Sequence, residues 1–322
     1  MQNEEVIIIG GGPCGLSCAI ACQEKGLHPL IIEKENIVNT IYQFPTHQTF
    51  FSSSDKLEIG GIPFVNEKNK PVRIQALTYY RTVAQRKQLR VHSFERVTGI
   101  QRKNGRFLIS SKKQGNKTGE YMATNVIVAT GYYDQPNYMG IPGEDLDKVM
   151  HYFKEGHPYL NKDVVIIGGK NSAVDAAIEL HKAGANITVL YRGDTYSNSI
   201  KPWILPEFDS LVRKGLVEMK FNACVNKITE SHVFYEVNGI EKKIENDFVF
   251  AMTGYRPDIS FLQNAGMEIN PANGKPIYDQ KTMETNIPGL YIAGVIAAGY
   301  NNNEIFIENG RFHGEMIANH LV

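Results

Sequence analysis

No run of apolar residues in this 322-residue sequence approaches the roughly 20 that a membrane-spanning helix needs. Neither sign of charge is in excess, since 34 Lys and Arg stand against 34 Asp and Glu. That balance gives nucleic acid and anionic lipid surfaces no electrostatic footprint, so neither is expected as a partner. Cysteine is scarce: Cys14, Cys18, Cys22 and Cys224 are the only four. None forms a Cys-x-x-Cys pair or a zinc-like spacing, and no metal site is expected. The first apolar strand begins by Val6, which leaves no room for a signal peptide and makes the cytoplasm the expected location. What remains is an ordinary globular composition, 42% hydrophobic, with length enough for two domains.

The stretch from Val6 to Glu33 carries the strongest signal. Val6 to Ile9 are four apolar, β-branched residues, suited to a strand buried on both faces. Gly10-x-Gly12-x-x-Gly15 follows at once, then a helical pattern, then the run Leu30-Ile31-Ile32 ending in Glu33, eighteen residues after Gly15. Each part has a physical task. Gly10 permits a tight turn, Gly12 lets backbone approach a diphosphate, and Gly15 lets helix and strand pack closely. The helix start supplies N–H groups and partial positive charge to the diphosphate, and Glu33 can accept from both hydroxyls of an adenosine ribose.

Further along, Asn36 to about Pro71 reads as a long irregular segment, the kind that is usually functional. Gln75 to Gln88 reads as a helix. Arg90 to Tyr121 reads as a β-meander turning at Asn104-Gly105, with Lys112, Lys113 and Lys117 on a solvated edge. Asn125 to Thr130 is a buried strand that stops at Gly131.

The pattern then repeats. Asp163 to Ile167 is a strand, Gly168 to Ala173 a glycine turn and helix start, and Ile187 to Arg192 the next strand. Val217 to Ile244 reads as a second meander turning at Asn238-Gly239, and Phe248 to Gly254 matches Val126 to Gly131. Two such copies predict an α/β chain of two Rossmann-like, three-layer dinucleotide-binding domains, each with its meander. The second turn is Gly168-x-Lys170-x-x-Ala173, and Arg192 ends its second strand where the first copy has an acid. An acid suits a free ribose 2′-hydroxyl and arginine a 2′-phosphate, so the first copy predicts FAD and the second NADPH. Lys201 is a further candidate cation for that phosphate. The chain closes with a strand entering Gly294-Val-Ile-Ala-Ala-Gly299, then Asn301, Asn302, Asn303 and Glu304 to Glu308. This segment is expected to return to the first domain.

Gly10-Gly-Gly12-Pro13-x-Gly15, Ala129-Thr130-Gly131, Gly168 to Ala173 and Gly289 to Gly294 resemble the two-dinucleotide-domain flavoprotein reductases, which include thioredoxin and ferredoxin–NADP reductases. Cys14 within the first turn, Pro45 to Ser54, Val165 to Ser172, Lys201 to Pro206 and Gly294 to Gly299 resemble the bacillithiol disulfide reductase family more closely. The resemblance implies FAD, NADPH and a small disulfide substrate, bacillithiol disulfide. It also implies a bacilliredoxin-type partner protein and a homo-oligomer. The expected domains are 1–157 with 259–322 for FAD, and 158–258 for NADPH. Beside Gly10, Gly12, Pro13, Cys14, Gly15 and Glu33, it places Lys34, Gln43, Thr46, His47, Val97, Thr130, Gly131, Gly294, Val295 and Ile305 at the flavin nucleotide. It places Gly168, Lys170, Asn171, Ser172, Ala173, Arg192, Lys201 and Gly254 at NADPH. Two departures stand out: the second domain lacks the Cys-x-x-Cys of thioredoxin reductases, and Val295 replaces the aspartate of the usual closing flavin motif.

The resemblance marks Cys14 as the redox residue, because only a thiolate attacks a disulfide. A small residue filling a tight gap is the other reading of Cys14. A helix N-terminus favours a thiolate by about 0.3–1 kcal/mol, and a diphosphate at the same end opposes it, so no strongly lowered pKa is expected. Cys18 and Cys22, at i+4 and i+8 on one helix face, read as core packing. His47 is a candidate proton donor to a departing thiolate, and Trp203 either a pocket wall or a structural anchor. A ferredoxin- or flavodoxin–NADP reductase and a flavin-based redox sensor are the rival functions.

Overall fold

The structure is a computed structural model describing residues 2–301 and 303–322; Asn302 lies outside the described residues. The chain divides into two compact units, the first running up to Gln135 and resuming at Tyr255–Val322, the second Pro136–Gly254. The expected boundary after residue 157 is therefore too late, and that after 258 slightly so. The reason is β7 (Val149–Met150), which pairs in parallel with Val249 and Phe250 and so belongs to the second unit's sheet.

In the first unit, β1 (Gln2–Ile9), β2 (Leu30–Ile32) and β3 (Val91–His92) run parallel in the order β3-β2-β1. On the other side of β1 lies β6 (Thr118–Val128), with Ile9 opposite Val128. The amino half of β6 pairs with β5 (Arg106–Lys113), which pairs in turn with β4 (Glu95–Lys103). Its carboxyl half pairs in parallel with β15 (Leu290–Ile292). The expected meander and the expected buried strand thus share one long strand. Asn104 and Gly105 have φ of 51° and 78°, the backbone of a two-residue hairpin turn. Lys112, Lys113 and Lys117 are exposed as expected, yet β5 has a partner on both sides and is not an edge strand. Within the irregular segment are a short helix, α2 (Asn39–Gln43), and a 3₁₀ turn at Ser54–Leu57. Helices α1 (Pro13–Glu24), α3 (Arg73–Arg86), α6 (Ile259–Asn264), α7 (Ile307–Gly310) and α8 (His313–Leu321) complete the unit.

The second unit carries a five-stranded parallel sheet in the order β10 (Glu218–Lys220), β9 (Asn186–Leu190), β8 (Asp163–Ile167), β14 (Phe248–Ala251), β7. Residues 218–220 therefore belong to this sheet, and the expected second meander starts later, as β11 (Ala223–Ile228), β12 (His232–Val237) and β13 (Ile240–Glu245). Side chains alternate across β8. Val164 and Ile166 face the cluster containing Ala173, Ala177 and Phe208, from α4 (Asn171–Lys182) and α5 (Leu205–Arg213). Val165 and Ile167 face Ala223, Val233 and Tyr235 of the meander. A near-continuous apolar strand is what a sheet covered on both faces requires.

Candidate functional site

The carboxyl ends of β1, β6 and β15 lie side by side, with Ala129 N–H donating to Ile9 O (2.8 Å) and Ala293 N–H to Val128 O (2.9 Å). Gly10, Thr130, Gly131, Gly294 and Val295 therefore share one end of the sheet. The protein itself demands two of the three motif glycines. A Cβ on Gly10, whose φ is +107°, would lie 2.5 Å from Ala129 O, and one on Gly15 would lie 2.0 Å from Gly10 O. Gly12 differs: its φ is −72°, and a Cβ there would meet nothing within 4 Å. No neighbour in the chain requires glycine at that position, and open space over backbone leading into Pro13 of α1 fits a diphosphate.

Glu33 is buried beside the turn. Its Oε2 accepts from Gly11 N–H at 2.6 Å and its Oε1 from Glu35 N–H at 3.0 Å. Burial pushes its pKa up, and those two amides together with Lys34 pull it down. Two accepted bonds leave a carboxylate capacity for two more, which suits a ribose diol. Lys34 pairs with Asp134 at 2.5 Å. Val38 N–H donates to Gly11 O (2.9 Å), which brings the start of α2 to the turn. Gln43 ends that helix exposed, Thr46 and His47 follow in the loop, and Val97 lies at a β-bulge of β4.

Cys14, the second residue of α1, has its sulfur against the closing segment. A Cβ on Gly294 would lie 3.1 Å from Cys14 Sγ, and one on Gly310 2.9 Å from it and 3.2 Å from Ile305 Cγ2. Helix α7, which carries Gly310, is fastened in place. Ser52 Oγ donates to Glu308 Oε1. The Arg311 guanidinium donates to Asp55 O (2.9 Å) and Glu58 O (2.6 Å), and Ser17 Oγ donates to Arg311 O (2.6 Å). Burial, and then the Glu308 charge, pushes the Cys14 thiol up to about 12. Cys18 and Cys22 are fully buried; α8 packs so closely on α1 that a Cβ on Gly314 would lie 2.7 Å from Cys18 Cα.

Nothing in the sequence pattern points to His313, which the structure brings to Gly294. Its Nδ1 accepts from Gly294 N–H at 3.1 Å, and burial lowers its pKa to about 4. An accepting Nδ1 puts the proton of the neutral ring on Nε2. The folded pKa is depressed, so between about 6.5 and about 4 the unfolded chain binds more protons. Stability should therefore fall with pH through that window by on the order of 1 kcal/mol per pH unit. His313→Gln should flatten this acid limb, as measured by urea midpoints at pH 7 and pH 5.

The second turn repeats the first with altered chemistry. A Cβ on Gly168 would lie 2.6 Å from Met252 O, as one on Gly10 would from Ala129 O. Lys170 takes the place of Gly12 in extended backbone (φ −107°, ψ −170°) and is exposed, while Ala173 is buried where the first copy has Gly15. The strand register corrects one alignment. Ile9 faces Ile32 and Ile167 faces Leu190, so the counterpart of Glu33 is Tyr191, not Arg192. The Tyr191 ring covers the turn, and a Cβ on Gly169 would lie 2.3 Å from it. Arg192 follows, exposed. Ser172 is exposed at the helix start, and Gly254, with φ +90°, ends the segment after β14 beside Asn137. A surface depression lined by Asp163, Asn186 and Glu218 lies at the amino ends of β8 to β10, the opposite end from the turn, and takes no part in this site.

A model of the pyridine nucleotide-disulphide oxidoreductase family matches residues 7–294. The chain is 61% identical over 320 residues to the bacilliredoxin reductase Bdr of Bacillus subtilis (strain 168), covering 99% of this chain and 97% of that protein. The solved bacillithiol disulfide reductase Bdr (YpdA) from Bacillus cereus superposes with a TM-score of 0.98 at 60% identity, covering 99% of each chain. That from Staphylococcus aureus gives 0.95 at 57% identity, covering 99% of this chain and 98% of the other. No helix among the described residues is long and apolar enough to cross a membrane.

Proposed function

The chain belongs to the pyridine nucleotide-disulphide oxidoreductase family and is an oxidoreductase, and from that premise we propose that it reduces bacillithiol disulfide with NADPH through bound FAD. The observation that carries this reading is the difference between the two turns. One has an open Gly12 and a buried Glu33 carboxylate; the other has Lys170 and Arg192. Gly10, Gly12, Pro13, Gly15 and Glu33 would hold the adenosine diphosphate part of FAD, and Thr130, Gly131 and Gly294 to Ile305 the remainder. Gly168, Lys170, Ser172, Ala173, Arg192 and Lys201 would hold NADPH.

When bound, the flavin accepts a hydride from NADPH and supplies two electrons to a disulfide. The Cys14 thiol gives up its proton to solvent, and its sulfur forms a bond to one substrate sulfur as the substrate S–S bond breaks. The first bacillithiol leaves as a thiol with a proton for which His47 is the candidate donor, replaced in turn from solvent. Two electrons and two protons, a hydride equivalent from NADPH and one proton from solvent, then cleave the mixed disulfide. They return Cys14 as a thiol and release the second bacillithiol. A bacilliredoxin-type protein carrying the same disulfide chemistry would be an alternative acceptor. One observation favours a second route: a thiol raised to about 12 is a poor source of thiolate, which suits electrons passing from the flavin to the disulfide directly.

Steady-state NADPH oxidation with bacillithiol disulfide, ferredoxin or oxygen alone tests the function. Fast turnover should occur with the disulfide only. Fast turnover with ferredoxin would make the chain an electron-transfer reductase, and slow turnover with all three a redox sensor. Arg192→Ala tests the coenzyme assignment. A charge-assisted contact contributes roughly 1.5–3 kcal/mol, so KM for NADPH should rise about ten-fold to a hundred-fold and KM for NADH should stay nearly constant. Equal effects on both coenzymes would make Arg192 a structural residue.

A further inference from the structure

Asn171 is the first residue of α4, yet its side chain does not cap that helix. Both ends of its amide are spent on a distant stretch of backbone. Nδ2 donates to Ser199 O at 2.8 Å, and Oδ1 accepts from Lys201 N–H at 2.8 Å. One donor and one acceptor in a rigid plane thus match a carbonyl and an amide two residues apart, as a neighbouring strand would. The gripped segment is also ordered from within. The Ser197 and Ser199 hydroxyls lie 2.8 Å apart, Ser199 N–H donates to Ser197 Oγ at 3.3 Å, and Ile200 is buried in the cluster containing Phe208.

We propose that Asn171 is a positioning residue rather than a nucleotide ligand: its amide clamps residues 199–201 to the first turn of α4 and so presents Lys201 to the phosphates of NADPH. This rests on the reading of the second turn as the NADPH site. Fixing the lysine's backbone before the nucleotide arrives removes part of the ordering cost that binding otherwise carries. The clamp also explains why the α4 start carries an amide with no capping role. Lys170, the residue before it, is the exposed cation of the turn itself, so the clamp would add a further cation, beside Lys170 and Arg192, from a separate loop.

Trp203, the chain's single tryptophan, lies two residues beyond the clamp, exposed, with Lys201 Nζ 6.0 Å from its ring centroid. It reports on this loop directly. The experiment measures NADP⁺ affinity by calorimetry on the FAD-loaded wild type, Asn171→Ala, Lys201→Ala and the double variant, with acrylamide quenching of Trp203 in the nucleotide-free proteins. Loss of two ordinary hydrogen bonds should raise Kd about five-fold or more in Asn171→Ala and make Trp203 easier to quench. Lys201→Ala should also raise Kd, and the double variant should be no weaker than Lys201→Ala alone. Asn171→Gln, whose extra methylene displaces the amide, should change both readouts in the same direction if the alanine variant fails to fold. Additive losses in the double variant, or unchanged Trp203 quenching, would overturn the clamp. If Lys201→Ala weakens NADP⁺ and Asn171→Ala does not, the clamp alone fails. If neither Lys201→Ala nor Arg192→Ala alters NADP⁺ binding, the NADPH reading fails and the clamp's role fails with it.

Discussion

Cys14→Ala should keep its fold, its FAD and its slow oxygen-dependent oxidation of NADPH, and lose turnover with bacillithiol disulfide by about a hundred-fold or more. A hundred-fold loss corresponds to about 2.7 kcal/mol of transition-state stabilisation. Removing one sulfur atom from a packed niche costs about 1 kcal/mol of stability, which is too little and falls on the wrong quantity. The niche also predicts how the wild type behaves. The thiol lies against Gly294 and Gly310 and is raised to about 12 by burial and by Glu308. At neutral pH little of it is thiolate. If attack goes through that thiolate, the disulfide-dependent rate should climb steadily with pH. A near-normal rate in Cys14→Ala would make Cys14 a packing residue and leave the direct route from the flavin.

Gly12→Ala and Gly15→Ala should fail in different ways. A Cβ on Gly15 would lie 2.0 Å from the carbonyl oxygen of Gly10, so the helix must move off the strand and the apoprotein itself should be destabilised by several kcal/mol. A Cβ on Gly12 meets no atom of the chain within 4 Å, and its φ of −72° suits any residue. The Gly12→Ala apoprotein should therefore melt like the wild type and yet purify nearly colourless. Thermal melts of flavin-stripped protein and the flavin absorbance per chain separate the two cases. A yellow Gly12→Ala protein with unaltered flavin affinity would remove the diphosphate from this turn.

Much of this was legible because it is local. Four β-branched residues, a glycine turn and an acid eighteen residues on describe β1, α1 and β2 without reference to anything distant. The second copy follows the same pattern, but the pattern is one position out. Arg192 and Glu33 each end an apolar run and so align by pattern, whereas the pairing of Ile167 with Leu190 makes Tyr191 the equivalent. Side chains alternate along a strand, so one residue decides which face is meant. The pattern divides the shared strand β6 in two because Ala123 to Asn125 interrupts the apolar run while the backbone ladder continues. A two-residue strand such as β7 is too short to carry any periodicity. What surrounds Cys14 was out of reach for another reason. His313, Glu308 and Gly310 come from the opposite end of the chain, and the Ser17–Arg311 hydrogen bond that ties them down spans 294 positions. No spacing rule links such residues; they meet because α8 packs on α1 through Gly314.

The most direct test of disulfide reduction through the flavin is a single anaerobic turnover. Enzyme is titrated with NADPH until its flavin is just reduced, then mixed with one equivalent of bacillithiol disulfide, and flavin absorbance and free thiol are followed together. The oxidised flavin spectrum should return in one phase, with two bacillithiol thiols released per flavin. A flavin that stays reduced in the presence of the disulfide, and is reoxidised when ferredoxin is added instead, would contradict the account.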